Sequence, residues 1–313
     1  MWSTSSELCY ISGCDSTFIH LQLTPSLVKQ KDDMMSVVPR YNFKADDIVK
    51  ERRTTRENIE ELKKCLAGNP RLPPVSDEQV ALFLLACKDN VEFAKETIDI
   101  YFRQRSSAPE LFQDRDIDGK EGQFTHSVTR FALFPLRTQE NYAIAMAGLK
   151  DTSYYNFNID SQVKAAFALI DILLYSNPPD GLIFIIDIKG VGIMHLTRLK
   201  LGTLKKFFAY VQEALPTQLK RVHIINASYI FEKILAIAKP FMKKELFELI
   251  IAHPPGMPWS ELHEKYIPAS LLPSDLGGEL PSVDQMHEEF QQELKNLKTF
   301  LATHDKQALM YKK

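Results

Sequence analysis

Apolar and polar positions alternate with different periods in different parts of the chain. From Asp46 to about Leu66 the pattern is helical, with Ile48, Ile59, Leu62 and Leu66 on a charged background. Asn69-Pro-Arg-Leu-Pro-Pro74 breaks it. Ser76 and Gln79, three residues apart, predict a capping box, and Val80, Phe83, Leu84 and Cys87 follow at helical spacing. A further helix is predicted from about Val91 to Arg105, with Phe93, Ala94, Ile98 and Tyr101 on one face. After Ser106-Ser-Ala-Pro109 and Asp114-Arg-Asp-Ile-Asp-Gly119 the pattern changes.

Tyr142 to Leu149 reads as a buried strand. Val163, Phe167, Ile170 and Leu174 then step by four, three and four, as in a helix that ends at Asn177-Pro-Pro-Asp-Gly181. Leu182 to Ile188 is apolar on both faces except at Asp187, which favours a parallel sheet covered by helices. Leu204, Phe207, Phe208, Val211 and Leu215 make a helical stripe. Arg221 to Ile225 is a third strand, Tyr229 to Lys239 a helix, and Phe247 to Ala252 a fourth strand. Strand and helix alternate, so the class is α/β behind an N-terminal helical domain. A single closing helix is predicted from about Val283 to Ala302, with Met286, Phe290, Leu294, Leu297 and Leu301 on its apolar face.

The resulting division is a flexible extension at 1–35, a helical domain at 36–115, an α/β domain at 116–282, and an amphipathic helix and tail at 283–313. The extension is rich in Ser and Thr and weakly periodic.

Composition narrows the function classes. The 313 residues are 45% hydrophobic and 25% charged, with a net charge of −2, so no global field points to nucleic acid or an anionic membrane. No basic n-region precedes an apolar run, since the first Lys or Arg is Lys29, and no stretch reaches the ~18 apolar residues that span a bilayer. The expectation is a soluble cytoplasmic monomer. Cys9, Cys14, Cys65 and Cys87 form no C-x-x-C pair, and reduced thiols are the simplest reading.

Signatures of catalysis are sparse. G-x-S-x-G, the P-loop and H-E-x-x-H are absent. Asp187-Ile-Lys-Gly-Val-Gly-Ile-Met-His195 places G-x-G after a strand, but His195 fills the third glycine slot. Asp187 and His195 offer an acid–base pair on paper; Asp187 equally suits capping of the turn. His223 and His253 sit in or beside apolar strands, as core or edge residues do. No cofactor and no metal are expected, and the chain reads as a non-enzyme.

The segment 229–242 is unusually apolar. Ile230, Ile234, Ile237 and Phe241 form one stripe, and Phe231, Leu235, Ala238 and Met242 form another beside it. Such a face needs cover from core or ligand. Pro240 should end or kink the helix.

Asp187-Ile-Lys-Gly190, His223-Ile-Ile-Asn226, Lys239-Pro-Phe241 and Leu272-Pro-Ser-Asp-Leu-Gly-Gly278, in this order and spacing, resemble the CRAL-TRIO family of retinaldehyde-binding and tocopherol-transfer proteins. Phe83 to Lys95 resembles the helical domain that precedes it. The resemblance spans about 40–282. It implies one small hydrophobic ligand (a retinoid, tocopherol, carotenoid or phospholipid) in a pocket floored by the sheet and closed by a mobile helix.

By resemblance, Leu182, Phe184, Ile186, Val222 and Ile224 line the floor. Phe207, Val211 and Leu215 form a wall, and Phe231, Ile234, Ala238 and Met242 face the ligand from the gate. Tyr229, Ile230, Leu235, Ile237, Pro240 and Phe241 complete the gate. Some relatives hold phosphoinositide headgroups in a basic cleft, for which Lys220, Arg221, Lys239 and Lys243 are the candidates here, with Lys244 beside them. Gln218, Glu245 and Leu249 stand where such relatives are basic, and Asp275-Leu276 replaces the usual Glu-Tyr. The resemblance implies a lipid carrier with transient membrane contact. The alternatives are a lipid-sensing adaptor, presenting Glu288, Glu289, Lys295 and Lys298, and an enzyme using Asp187 and His195.

Overall fold

The computed structural model describes residues 37–312. The extension at 1–35, with Cys9 and Cys14, lies outside the described residues.

Six helices open the described residues: α1 (Ala45–Lys50), α2 (Arg56–Ala67), α3 (Asp77–Ala86), α4 (Val91–Ser107), α5 (Pro109–Phe112) and α6 (Lys120–Val128). Side-chain caps explain where three of them start. Thr55 accepts from the Asn58 N–H, Ser76 and Gln79 exchange the two bonds of a capping box, and Asn90 accepts from the Phe93 N–H. The segment 46–66, read above as one helical pattern, is two helices, because the chain turns at Arg52, whose φ of 59° is left-handed.

The rest alternates: β1 (Thr129–Leu133), β2 (Tyr142–Leu149), α7 (Ile159–Ser176), β3 (Gly181–Asp187), α8 (Ile193–Leu196), α9 (Leu201–Glu213), β4 (Leu219–Ile225), α10 (Tyr229–Ala238), α11 (Lys244–Phe247), β5 (Ile250–Ala252) and α12 (Trp259–Lys265). The sheet order is β1-β2-β3-β4-β5; β1 runs antiparallel to β2, and the other pairs are parallel. Phe184 registers with Val222, and Ile186 with Ile224. Strand alternation therefore aims these four at one face and Ile183, Ile185 and Ile225 at the other.

The second face is packed solid by Leu262, Ile267, Leu272, Leu276 and Met286. Leu276 is buried there, and Asp275 accepts a 2.7 Å bond from the Val283 N–H. The acid thus anchors the next helix, and a leucine fills the space under it. Gly278 is sterically required: a Cβ on it would lie 2.0 Å from the Leu272 carbonyl oxygen.

Two expectations are corrected. Phe247 to Leu249 is not strand: α11 takes Phe247, and β5 begins at Ile250. The closing segment is two helices, α13 (Val283–Asn296) and α14 (Lys298–Leu309), with a break at Leu297. Their apolar positions are core: Phe290, Leu294, Leu297, Phe300 and Leu301 belong to the same cluster as α2–α4 and α7.

Candidate ligand cavity

The first face of the sheet carries a cavity of about 380 Å³. Leu182, Phe184 and Ile186 of β3 and Val222 and Ile224 of β4 form its floor. Phe207, Val211 and Leu215, from α9 and the turn after it, form one wall, and Val163, Ala166, Phe167 and Ile170 of α7 form another. Phe231, Ile234, Leu235 and Ala238 of α10, with Met242 beyond it, lie across the space. The volume falls in the range of small-molecule pockets, ~300–1,000 Å³, toward its lower end. All twelve residues expected at the pocket border this one cavity.

The gate residues divide. Leu235 borders the cavity. Ile230 is buried in a cluster with Ile188, Val222 and Ile224. Tyr229 is 69% exposed. Ile237 and Phe241 are half-buried outside the lining. Pro240 lies in a 3-10 turn, Lys239–Phe241, and α10 ends at Ala238, as loss of a backbone donor two residues on requires. Gln212 of α9 pins this turn: its Nε2 donates to the Phe241 carbonyl at 3.1 Å, and its Oε1 accepts from the Lys243 N–H. Around the same elements Ile193, Met194, Leu201 and Tyr229 stand exposed.

The basic candidates each have a partner of their own. Lys220 lays its stem across Gly181, donates to Gln218 Oε1 at 2.7 Å and stands 5.0 Å above the Tyr142 ring; burial lowers its pKa. Arg221 stacks over Tyr266, and Lys239 over Phe247. Lys243 pairs with Glu213 and Lys244 with Glu248.

Asp187 and His195 are engaged separately. Asp187 Oδ1 accepts from the Lys189 N–H at 2.8 Å and from Asn226 Nδ2 at 2.7 Å, fixing the turn after β3. His195 Nδ1 accepts from the Gly192 N–H at 3.1 Å, and burial lowers its pKa. No hydrogen bond joins them. His223 Nδ1 and His253 Nε2 lie 2.8 Å apart with stacked rings, and burial followed by the neighbouring imidazole brings His223 down to about 4. Among the described residues no three His, Cys, Asp or Glu gather as metal ligands, and no helix is long and apolar enough to cross a membrane. Cys65 and Cys87 are free thiols.

Pattern reading missed several lining residues. The stripe of α7 is legible, yet a core helix and a cavity wall have the same period. Thr129 and Phe131 belong to β1, a strand too short and mixed to stand out. Leu196 ends the four-residue α8, too short to show a period, and Ile188, Val191 and Leu199 lie in irregular chain.

Fold and cavity together define an α/β domain in which helices hold an apolar space open against one face of a mostly parallel sheet. Residues 132–278 match the CRAL/TRIO domain family, and residues 51–122 match the Pinta-like UBA domain. Residues 132–278 are thus similar to a CRAL/TRIO domain. The alpha-tocopherol transfer protein-like protein of Homo sapiens is 29% identical over 131 residues, which cover 41% of this chain and 37% of that protein. The match thus spans little more than a third of that relative's length. Clavesin-1 of Xenopus laevis is 24% identical over 243 residues, 74% of this chain and 70% of its own. The crystal structure of Sfh5 aligns at 14% identity and a TM-score of 0.47, over 67% of this chain and 75% of that one.

Proposed function

We propose that this protein binds one small hydrophobic ligand in the cavity and carries it between membranes, with α10 as the gate. The observation that carries this reading is an apolar space of about 380 Å³ bordered by the sheet, α7, α9 and α10. Water gains little from such walls, whereas an apolar ligand gains from leaving water. A ligand burying ~300 Å² of apolar area gains on the order of 7 kcal/mol before ordering costs. A single chain or a small ring system suits the volume better than a two-chain phospholipid.

The gate follows from the same residues. Phe231, Ile234 and Leu235 face the cavity, while Tyr229, with Ile193, Met194 and Leu201 on neighbouring elements, presents apolar surface outward. A lipid surface satisfies both sets when α10 lifts. Exchange by transient membrane contact is therefore the proposed step. A phosphoinositide headgroup draws less support, since Lys220, Arg221, Lys239 and Lys243 are each engaged elsewhere. A non-enzymatic role is consistent with the separate engagement of Asp187 and His195.

The test is extraction of the purified full chain with organic solvent and mass spectrometry of what it releases, followed by a vesicle-to-vesicle transfer assay with that molecule. One hydrophobic species near equimolar amount, moved faster with protein than without, is the expected result. A protein that releases none and moves none overturns the reading.

A further inference from the structure

Two buried histidines sit at the root of α10. His223 of β4 alternates with Val222 and Ile224, so its ring lies on the packed face of the sheet, away from the cavity. Its neighbours in register on the flanking strands are Ile185 and Ile251. His253 follows β5, and its ring stacks on that of His223 with centroids 5.1 Å apart. Tyr266, just after α12, meets both rings edge-on, at 5.1 and 5.5 Å. Both histidines are at least nine-tenths buried. Two charged groups act on them: Arg221 of β4, which stacks over Tyr266, and Glu261 of α12.

The bonding of the pair leaves no good place for an added proton. His223 Nδ1 and His253 Nε2 lie 2.8 Å apart, so one donates to the other and they share one proton. A neutral pair holds one more proton. A charged pair holds two more, and these must occupy both remaining nitrogens, His223 Nε2 and His253 Nδ1. His223 Nε2 is buried and has no hydrogen-bond partner among the described residues. The bonded pair, once charged, therefore carries a buried N–H without an acceptor, near the Arg221 charge. The neutral pair avoids this by leaving that nitrogen bare. Proton uptake is thus favoured when the rings part.

His253 also fixes the backbone where the gate begins. Its N–H donates to the Ile224 carbonyl, and its carbonyl accepts from the Ala227 N–H, both at 2.8 Å. Ala227 lies between the end of β4 and the start of α10. The other tie at this point is Asn226 Nδ2 to Asp187 Oδ1 at 2.7 Å. Close packing around the two rings means that they part only if the segment carrying His253 shifts, and that shift strains the Ala227 bond.

We propose that the His223–His253 pair is an acid latch on α10: proton uptake parts the rings, frees Ala227 from His253 and lets the gate open. The proposal rests on the reading of α10 as the gate of a carrier. In the closed state the pair is neutral, since burial, then His253 and Arg221, brings His223 down to about 4. Burial lowers His253 as well, against the pull of Glu261. Once open, each ring titrates near 6.5. The open state then binds more protons than the closed state between those values. Opening is therefore independent of pH above about 6.5 and rises by about tenfold per pH unit below it for each proton taken up.

Two measurements on the full chain between pH 8 and pH 5 test this. Amide exchange of Ala227, followed by NMR and corrected for the intrinsic effect of pH, reads the latch without a ligand. Met146, inside the sheet between β1 and β3, reports global unfolding. Release of the uncharged dye Nile red into excess phosphatidylcholine vesicles reads the gate. The expected result is constant Ala227 protection from pH 8 to 7, a fall of about tenfold from pH 6 to 5, and a matching rise in dye release. Met146 is expected to stay the better protected of the two throughout. His223→Asn keeps an amide facing His253 and does not titrate, so both pH dependences should weaken at least threefold in it. Ala227 protection that stays constant to pH 5 in the native chain overturns the latch and leaves the carrier reading standing wherever dye is bound. Ala227 and Met146 exchanging at one common rate also overturns it, because the acid effect is then global unfolding. Acid-labile Ala227 with flat dye release breaks the link from latch to gate. A native chain that binds no dye at pH 7 removes the carrier reading, and with it the gate, while Ala227 still reports on the histidine pair.

Discussion

Arg105 of α4 and Asp171 of α7 meet in a two-bond pair, at 3.1 and 2.9 Å, with both side chains shut off from solvent. Burial alone would raise the Asp171 carboxyl, but Arg105 and Arg115 hold it well below the ordinary carboxylate range. Arg115 continues the network to Asp305 of α14 at 2.6 Å, and the Tyr210 hydroxyl lies 3.4 Å from Arg105. One ionic knot thus fastens the N-terminal helices, the wall helix α7 and the last helix. Breaking one partner strands a buried charge. Asp171→Asn or Arg105→Met is expected to destabilise the protein by about 3–5 kcal/mol, measured by urea unfolding. A loss below 1 kcal/mol refutes this account.

Little of that knot is legible in the sequence. Arg105, Arg115, Asp171 and Asp305 are far apart along the chain, and each looks like a solvated charge on a helix. The elements that were legible are those whose burial has a period: the floor strand 182–188, the wall stripe from Phe207 to Leu215, and the gate at 229–242. The Ser76–Gln79 box was readable because its chemistry is local. The two closing helices were not separated, because their apolar positions run continuously past Leu297. The family resemblance added the common purpose of floor, wall and gate, which periodicity does not supply: Phe167 at the cavity and Leu174 in the core share one stripe.

Ile234 of α10, the proposed gate, borders the cavity. Ile234→Asp places a charge against apolar walls with no counter-ion, at a cost of several kcal/mol to ligand binding. Bound ligand after purification is expected to fall at least tenfold, with the unfolding midpoint little changed, because Ile234 is half-buried. Native-level retention of ligand in this variant removes α10 from the pocket.

Three histidines make stability acid-sensitive. Burial lowers His126 and His223 to about 4 and His304 to about 3; His287 adds to the effect on His126, as His253 does on His223. In the unfolded chain each titrates near 6.5. Between those values the unfolded state binds more protons than the folded state, so stability rises with pH. The stabilisation is complete above pH 6.5 and is lost as pH falls through 6.5 toward 4. Unfolding at pH 5 against pH 7 should show a drop on the order of 1–2 kcal/mol per histidine. His304 also receives or gives hydrogen bonds to the hydroxyls of Tyr41 and Tyr101, at 3.0 and 3.3 Å, so the test variant is His223→Gln. It should flatten the profile by about a third; an unaltered slope excludes His223 as a contributor.

Gln212 of α9 makes two bonds to the segment after α10, the proposed gate: it donates to the Phe241 carbonyl and accepts from the Lys243 N–H. Lys243 adds an ion pair with Glu213 at 2.8 Å, but both groups are solvent-accessible and the pair contributes little. Gln212 also donates within its own helix, to the Phe208 carbonyl at 2.9 Å, so its amide is held in one orientation. Gln212→Leu keeps the bulk of the side chain and removes both ties. If α10 must swing about the 239–243 turn for ligand to leave, losing two bonds worth about 1 kcal/mol each raises the opening rate by up to about thirtyfold. Stopped-flow release of a bound fluorescent ligand into excess vesicles reads that rate directly. The affinity in the closed state should change little, because Gln212 does not border the cavity. Faster release with a loss of unfolding stability no larger than about 2 kcal/mol supports the turn as hinge, and an unchanged release rate places the opening motion elsewhere.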